Sequence, residues 1–374
     1  MNAADLLEAA TKSEPLDVDE QLRGVRREQV LGLMPELRLR WFHLVQVRHA
    51  ELERVTGDLM ELLEPNNEVK IISIIGMTGI GKTTLASTLL NSLLMRFGEG
   101  AIPSDVPVIY VRAPANGQKS LSWTGLYKRI LEAGHDVMIG QKRAAKVTDG
   151  ELRIRRGGRT NLTELRDFIE EMLKQRNVRV LVIDEALHLL RFDEYSSIMD
   201  TLKSLADIHD TKLLLIGTYD IAELMIEYAQ VARRSEIIHY RRYVVGEIKA
   251  DAWTPDQEEF RRQVVKFQGL WPCEEAPNLE AIWPELMRAS LGSIGLLKTM
   301  LLRLLSLQMA GKDEKITMPM LRKFSKAPRS LRKIEEEAIT GEANLLDACY
   351  GDSIFNTKDE IQSLMCRIRG LQNV

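Results

Sequence analysis

A glycine-rich segment that ends in a lysine and a threonine carries the clearest chemistry in the sequence. It matches the pattern G-x-x-x-x-G-K-[ST] at every fixed position, with Gly76, Met77, Thr78, Gly79, Ile80, Gly81, Lys82 and Thr83, and Thr84 follows it. Glycines let such a loop wrap so that its backbone N–H groups point inward at phosphate oxygens. Lys82 would add a positive charge at the β- and γ-phosphates, and the Thr83 hydroxyl would ligate Mg²⁺. The segment therefore predicts binding of ATP together with Mg²⁺.

Two adjacent carboxylates follow the clearest strand in the sequence. Residues 178–183 are apolar and largely β-branched, and Asp184 and Glu185 come directly after them. Asp184 would hold Mg²⁺ through water, and Glu185 would orient and polarise the attacking water as a general base. A solvated turn is the ordinary alternative for such a pair, but the phosphate loop upstream favours the hydrolytic role.

Four further polar residues are candidates for contact with the γ-phosphate. Thr218 follows the next apolar strand and would lie beside the general base as a sensor; a turn-forming Gly-Thr pair is the alternative. Arg233 and Arg234 close a predicted helix, where a cation commonly compensates the helix dipole. Lys298 lies near the start of a later helix, either as a nucleotide sensor or as a plain surface lysine.

Strands alternate with helices through the middle of the chain. Short β-branched apolar runs predict the strands, and apolar residues at helical spacing predict the helices between them. The strands fall at residues 69–75, 106–111, 178–183, 212–216 and 237–243, and the helices at 83–97, 122–133, 162–175, 195–208 and 221–232. This alternation predicts an α/β fold with a parallel sheet that helices cover on both faces.

Helices alone are predicted on either side of this region. Helical spacing of apolar residues runs through residues 36–63, and residues 1–20 have the acidic, small composition of a loose leader. Later helices are predicted at residues 255–268, 279–289, 293–310, 318–326, 331–339 and 359–368. The predicted organisation is an N-terminal helical segment (1–50), a nucleotide-binding α/β domain (51–246), a helical domain (247–327) and a C-terminal tail (328–374).

The order of these features resembles the AAA+ superfamily of ATPases, and within it the TniB and TnsC ATPases that regulate DNA transposition. Four stretches between residues 40 and 310 carry the likeness: Arg48-His49-Ala50-Glu51-Leu52, the loop with its continuation to Leu85, Asp184-Glu185-Ala186-Leu187-His188, and Ala232-Arg233-Arg234-Ser235. The likeness implies a P-loop NTPase (AAA+) fold, in which a parallel sheet sandwiched by helices is followed by an all-helical lid. The chain departs from the family in the basic segment 141–159 and in the tail.

The resemblance also implies a function. Such a protein oligomerises on double-stranded DNA as a ring or filament, and it recruits or activates a transposase at a target site. Its partners are then double-stranded DNA, a transposase and a target-selection protein, and ATP hydrolysis is expected to be slow and partner-stimulated. Either Arg233 or Arg234 would act as an arginine finger on the γ-phosphate held by a neighbouring subunit. The C-terminal tail is a candidate docking element for a partner, with a packing helix as the alternative.

The densest basic stretch of the chain, residues 141–159, is the predicted DNA contact. In the AAA+ arrangement this connection faces the inner surface of a ring. Cations there would neutralise phosphates and give salt-dependent binding without sequence preference. The DNA candidates are Lys119, Lys142, Arg143, Arg153, Arg155, Arg156 and Arg159. A solvated loop is the alternative, since charge runs commonly lie in solvent.

Composition bears on the partners and on the cellular compartment of the protein. The formal net charge of −3 does not itself indicate nucleic-acid binding, although a local basic surface acts independently of that average. Three cysteines without metal spacing (Cys273, Cys349 and Cys366) fit a reducing compartment. The sequence has neither an apolar signal core nor a run of 18 apolar residues, so a cytoplasmic protein without membrane contact is expected.

Two other functions fit the same motifs. A replication-initiator-like or clamp-loader-like AAA+ ATPase would share the core, but the tail is too short for a winged-helix domain after the helical lid. A signalling switch, in which ATP gates a protein-binding surface, usually carries repeat sensors, and the sequence contains no internal repeat. Tight DNA binding would exclude the signalling switch.

Overall fold

Five parallel strands form the central sheet of the protein. The computed structural model describes residues 15–64, 66–114, 123–134, 145–148, 151–154, 162–186, 202, 204–205, 211–222, 234–249, 252–310 and 328–350. The strands of the sheet are β1 (Ile71–Ile75), β2 (Val108–Arg112), β5 (Val180–Asp184), β6 (Lys212–Gly217) and β7 (Ser235–His239). Their order is β2-β5-β6-β1-β7, and every neighbouring pair is parallel.

The strand register brings three predicted site segments to one edge of the sheet. Ile75, the last residue of β1, pairs with Gly217, and Asp184 pairs with Ile216. Because all five strands run in the same direction, their carboxyl ends share this edge. The phosphate loop after β1, the carboxylates after β5 and Thr218 after β6 therefore lie side by side.

Helices with one apolar face each pack on the sheet. They are α4 (Ala50–Leu62), α5 (Lys82–Gly98), α6 (Trp123–Ala133) and α7 (Leu162–Gln175). In α7 the buried side chains are Leu165, Ile169, Met172 and Leu173, which recur at the helical period. These helices and the sheet share one hydrophobic core. The predicted α/β fold with a parallel sheet between helices is confirmed.

A second hydrophobic core joins helices from the two ends of the chain. The N-terminal members are α1 (Pro15–Arg23), α2 (Arg27–Val30) and α3 (Pro35–Leu44); the C-terminal members are α8 (Pro255–Gly269), the 3₁₀-helix Glu280–Ile282, α9 (Trp283–Ala289) and α10 (Ile294–Met309). Phe42 meets Trp271 and Phe267 edge-to-face, with ring centroids 5.3 and 6.0 Å apart. Residues about 220 positions apart thus pack directly against each other.

Three helix predictions differ from the structure. The helical spacing of residues 36–63 belongs to two helices, because α3 ends at Leu44 and residues 45–49 are not helical. The break occurs where the chain passes from the second core, which holds Trp41, to the first, which holds Leu52. Residues 15–20 of the expected loose leader belong to α1, which buries Val18 and Leu22. The helix predicted at 331–339 is part of the longer α11 (Pro328–Tyr350).

Other predicted elements lie outside the described residues. These are the helices at 318–326 and 359–368 and most of those at 195–208 and 221–232. Within the described part of the chain, none of the helices is by itself long and apolar enough to cross a membrane. One bent pair, Glu280–Ala289 with Ile294–Met309, meets the length and composition test only when both helices are taken together.

The turn between α9 and α10 should tolerate only glycine. Gly292 has a φ of 73°, and a Cβ built on it would lie 1.8 Å from the Tyr243 carbonyl oxygen. Gly292→Ala should therefore lower the free energy of unfolding in urea by about 1–3 kcal/mol through backbone strain, and by more where the backbone must also shift. An unchanged unfolding midpoint would contradict this close approach.

Gly57→Ala is the matched control for that substitution. Gly57 lies on the exposed side of α4, and an added Cβ would meet no atom within 4 Å. Because alanine restricts the unfolded chain and favours the helix, Gly57→Ala should raise the free energy of unfolding by about 0.5–1 kcal/mol.

Candidate nucleotide-binding site

The phosphate loop connects β1 to α5 through a backbone that requires glycine. Gly79 and Gly81 have φ values of 84° and 110°, a region that side chains with a Cβ rarely adopt. A Cβ on Gly76 would lie 2.6 Å from the Tyr240 carbonyl oxygen. Gly81 is also the N-cap of α5, so the positive end of the helix dipole faces the loop. These features are suited to holding an anion such as a phosphate.

Lys82 lies folded over the loop. Its ammonium donates hydrogen bonds to the carbonyl oxygens of Gly76 (2.7 Å) and Met77 (2.9 Å). Burial lowers the pKa of Lys82 to about 8, although the carboxylates of Glu337 and Asp184 act to raise it. The ammonium is therefore mostly charged at pH 7 and is placed where a phosphate would offer it a stronger partner.

Asp184 has both carboxylate oxygens fixed at the end of β5. Oδ1 accepts a hydrogen bond from the Glu185 backbone N–H (2.7 Å), and Oδ2 accepts one from the Tyr110 hydroxyl (2.6 Å). Glu185 has a φ of 55° and an exposed side chain. A non-glycine residue in this region stores strain, which proteins commonly hold at functional sites. Asp184 thus stabilises the turn that directs Glu185 away from the sheet.

Tyr110 and Arg112, which the sequence analysis missed, surround the Asp184 carboxylate. Burial, followed by the hydrogen bond to Asp184, raises the pKa of Tyr110 to about 12, so its hydroxyl remains a donor. The Arg112 Nε lies 4.0 Å from Asp184 Oδ2. Tyr110 lies in the predicted second strand and Arg112 directly follows it, but the pairing of β2 with β5 is not visible in the sequence.

Thr218 lies directly after β6, between the ends of β1 and β5, as predicted. Its hydroxyl donates a hydrogen bond to Asp220 Oδ2 (2.8 Å). That position is compatible with a γ-phosphate sensor, and the role stays a prediction.

Arg234 lies at the opposite edge of the sheet from the phosphate loop. Its carbonyl oxygen accepts hydrogen bonds from the N–H groups of Lys70 and Ile71, at the amino end of β1. The length of a five-residue strand, about 16 Å, separates that end from the loop. Arg234 is therefore remote from the loop of its own chain, and its action on another subunit stays a prediction. Arg233 lies outside the described residues.

Lys298 contacts the N-terminal helices instead of the phosphate loop. Its ammonium donates to the carbonyl oxygens of His43 and Val45, both at 2.6 Å, at the end of α3. Burial lowers the pKa of Lys298 to about 8. The geometry supports a helix-capping role, since the last carbonyls of a helix lack partners within the helix. The role of Lys298 as a nucleotide sensor stays a prediction.

Two other residues at the start of α10 touch the loop. The Ser293 hydroxyl donates to the Gly79 carbonyl oxygen (2.9 Å) and also caps α10. A Cβ on Gly295 would lie 2.4 Å from the same oxygen. The helical region therefore packs on the loop through Ser293 and Gly295. The sequence offered a signal for Ser293, because a serine before a helical run is typical of an N-cap.

His49 connects the segment before α4 to the segment after β7. Its Nδ1 lies 3.0 Å from the Tyr243 hydroxyl, and its Nε2 lies 3.2 Å from the Tyr240 hydroxyl. Burial lowers the pKa of His49 to about 4, so the ring is neutral at pH 7. Since the Tyr240 carbonyl packs on Gly76, His49 supports the loop from behind.

Glu51, two residues later, is the centre of an ionic network. Its buried carboxylate contacts Arg241 Nε (2.8 Å) and Arg54 Nη2 (2.9 Å). Arg241 also binds both carboxylate oxygens of Asp256, at 2.7 and 3.1 Å. The Arg48-His49-Ala50-Glu51-Leu52 stretch therefore joins α4, the segment after β7 and the start of α8.

The predicted DNA contacts are described only in part. Arg153 lies in β4 (Glu151–Ile154), which pairs antiparallel with β3 (Ala145–Thr148) and places Arg153 opposite Lys146. The remaining candidates lie outside the described residues: Lys119, Lys142, Arg143, Arg155, Arg156 and Arg159.

Comparison with known proteins agrees with this geometry. Residues 67–225 match a family model described as an AAA domain. This part of the chain is therefore similar to an AAA domain. The match supports nucleotide binding and ATPase activity in general. No curated protein matches the sequence, and the narrower resemblance to TniB and TnsC proteins stays a prediction.

Solved structures share the fold at low sequence identity. The Aeropyrum pernix ORC1 protein in complex with DNA is 16% identical with a TM-score of 0.50, and the match covers 88% of this chain and 80% of that chain. The Aeropyrum pernix ORC2 protein (ADPNP-ADP complexes) is 15% identical with a TM-score of 0.49, covering 88% and 81%. A Walker-type ATPase of Pyrococcus abyssi is 15% identical with a TM-score of 0.42, covering 85% and 88%. At such identities the ORC1 likeness shows the AAA+ fold alone.

The buried His49 should make the protein less stable in mild acid. The pKa of His49 is about 4 in the folded protein and about 6.5 in the unfolded chain, so the unfolded state binds its proton first. Its neutral form stabilises the fold fully above pH 6.5, and this contribution is lost as the pH falls towards 4. Urea unfolding at pH 5 should show a loss of about 2 kcal/mol from this group relative to pH 7.5.

His49→Gln isolates this effect, because glutamine keeps polar atoms for the two tyrosines but does not titrate. In this variant, the difference in unfolding free energy between pH 7.5 and pH 5 should be about 2 kcal/mol smaller than in the unsubstituted protein. His43→Gln is the matched control at an exposed position. An unchanged pH dependence in His49→Gln would show that the imidazole titrates alike in both states.

Proposed function

We propose that this chain is an ATP-dependent AAA+ regulator of DNA transposition that assembles on double-stranded DNA. ATP binding and hydrolysis rest on one observation: the parallel sheet brings the Lys82 loop, the Asp184–Glu185 turn and Thr218 to a single edge. Phosphoryl transfer depends mostly on positioning and electrostatics, which these groups provide.

The residues at this edge suit ATP and Mg²⁺. The loop glycines expose backbone N–H groups and Lys82 supplies a cation, as triphosphate binding requires. Thr83 and Asp184 offer hydroxyl and carboxylate oxygens, the hard ligands that Mg²⁺ prefers. When bound, Mg²⁺ supplies charge neutralisation at the β- and γ-phosphates. Glu185 would orient a water molecule towards the γ-phosphate and accept its proton.

Substitutions in the loop and at the strand end should separate binding from hydrolysis. Lys82→Ala should abolish binding of a fluorescent ATP analogue, because the loop loses its only cationic side chain. Glu185→Gln should keep that binding but reduce phosphate release by about 10²-fold or more, because the amide cannot accept a proton. The exposed Lys249→Ala serves as the control. Full ATP binding by Lys82→Ala would contradict the site.

DNA binding is supported by the charge pattern of residues 141–159. Lys146 in β3 is the register partner of Arg153 in β4, so the hairpin pairs two residues of cationic type. Duplex DNA is a polyanion, and the cations of such a segment would neutralise its phosphates. The ORC1 fold neighbour was solved in complex with DNA, but the proposal rests on the basic segment and on the family resemblance.

Charge reversal should test the DNA contact. Arg153→Glu, Arg155→Glu and Arg156→Glu together should abolish duplex binding in a fluorescence-anisotropy titration and leave nucleotide binding intact. Single Arg→Glu changes in this segment should weaken binding less. Each should make the slope of log K against log salt concentration shallower by about 0.9 per lost phosphate contact. Glutamates at the exposed Arg23, Lys128 and Lys174 make the same change in net charge elsewhere. Unchanged DNA affinity in the first triple variant would exclude this contact.

Assembly distinguishes a transposition regulator from a signalling switch. We expect electron microscopy of negatively stained protein to show rings or filaments that need both duplex DNA and ATP, and none with ADP or with Lys82→Ala. Protein that stays monomeric with DNA in every nucleotide state would favour the switch. A cognate transposase that this protein recruits, and that stimulates its ATP hydrolysis, would then separate the regulator from a replication initiator.

A further inference from the structure

We propose that Glu337 on α11 senses the γ-phosphate: its carboxylate holds α11 on the phosphate loop, and ATP displaces it. This inference rests on the ATP site proposed above and adds a means of regulation to it. Residues 328–350 belong to the C-terminal segment that was predicted to dock a partner. In this proposal they form a helix whose attachment to the phosphate loop depends on the nucleotide.

The contact itself resembles anion binding. Glu337 Oε1 accepts hydrogen bonds from the Thr78 backbone N–H (3.1 Å) and from the Thr78 hydroxyl (2.8 Å). Thr78 lies inside the phosphate loop, whose backbone N–H groups are the donors expected to hold phosphate oxygens. The Glu337 carboxylate and a phosphate oxygen would therefore use the same donor of the loop.

Glu337 also acts on the Lys82 ammonium, the cation expected to bind the terminal phosphate. Of the two carboxylates that act on the Lys82 ammonium, Glu337 has the larger effect and Asp184 the smaller. A γ-phosphate bound by Lys82 would bring its negative charge close to the Glu337 carboxylate. Like charges at short separation repel strongly where solvent is partly excluded, so ATP and the Glu337–Thr78 contact oppose each other. ADP lacks the γ-phosphate and should oppose it less.

The rest of α11 is fixed on the same edge of the sheet. Arg242 binds both oxygens of Glu342, at 2.9 and 3.2 Å, and both side chains are buried. Gly341 packs so closely on the Tyr219 ring that a Cβ there would lie 2.1 Å from it. α11 therefore contacts residues that follow β1, β6 and β7. The Arg242–Glu342 pair keeps the helix attached while the Glu337 contact opens.

Glu337→Gln is the sharpest test, because glutamine keeps the shape and the accepting oxygen but removes the charge. The variant should bind ATP about fivefold more tightly than the unsubstituted protein, with little change for ADP, a coupling at the low end of the usual range. The readout is the ratio of ATP to ADP affinity from titrations with fluorescent analogues. Glu336→Gln, one residue away on an exposed face of α11, should leave the ratio unchanged.

Hydrogen exchange of the 374-residue chain provides a second measurement. ATP should increase amide exchange in residues 328–340 of the unsubstituted protein, and this increase should be much smaller in Glu337→Gln. An unchanged or lower ATP-to-ADP ratio in Glu337→Gln, with ATP binding still lost in Lys82→Ala, would overturn the role of Glu337 and leave the ATP site intact. Failure of the unsubstituted protein to bind ATP would overturn the site and the inference together.

Discussion

The loop that would receive phosphate is packed by backbone atoms, and the surrounding structure depends on this close approach. The Tyr240 carbonyl lies against Gly76, and the start of α10 lies against Gly79 through Ser293 and Gly295. A Cβ at Gly76 or at Gly295 would lie 2.6 or 2.4 Å from a backbone carbonyl oxygen, so neither position accepts a larger residue without a backbone shift. The segment after β7 and the helical region are thus held by the same few glycines that shape the loop, so their positions and the nucleotide site are mechanically linked.

Buried polar groups extend this link between the two hydrophobic cores. His49 and Glu51 fix the segment after β7 to α4, and Arg242 pairs with Glu342 where both are almost inaccessible to water. Removing one partner of such a buried pair typically costs about 3–5 kcal/mol, because the other charge is left without compensation. These contacts therefore specify one arrangement of the helices around the sheet, and they explain why the stretch around His49 carries a recognisable pattern.

Local signals in the sequence predicted the features that depend on neighbouring residues. The five strands were placed within a few residues of their bounds, and the Lys82 loop and the Asp184–Glu185 pair were predicted from spacing alone. Contacts between distant segments were not accessible in this way. The contact of Lys298 with the end of α3 and the hydrogen bond from Tyr110 to Asp184 each join residues more than 70 positions apart. No periodicity within a segment encodes such pairs.

The shared core of the two chain ends has a consequence for biosynthesis. Phe42 is synthesised 225 residues before its partner Phe267 and 229 residues before its partner Trp271. At a synthesis rate of about 5–20 residues per second, the apolar faces of α1–α3 stay exposed for roughly 10–40 s. During that interval the sheet of the AAA domain can be completed, since β7 is synthesised before α8 begins. The helical core therefore closes only after all strands of the sheet have been made, and its N-terminal half depends on the unfinished chain, or on a chaperone, for protection from aggregation.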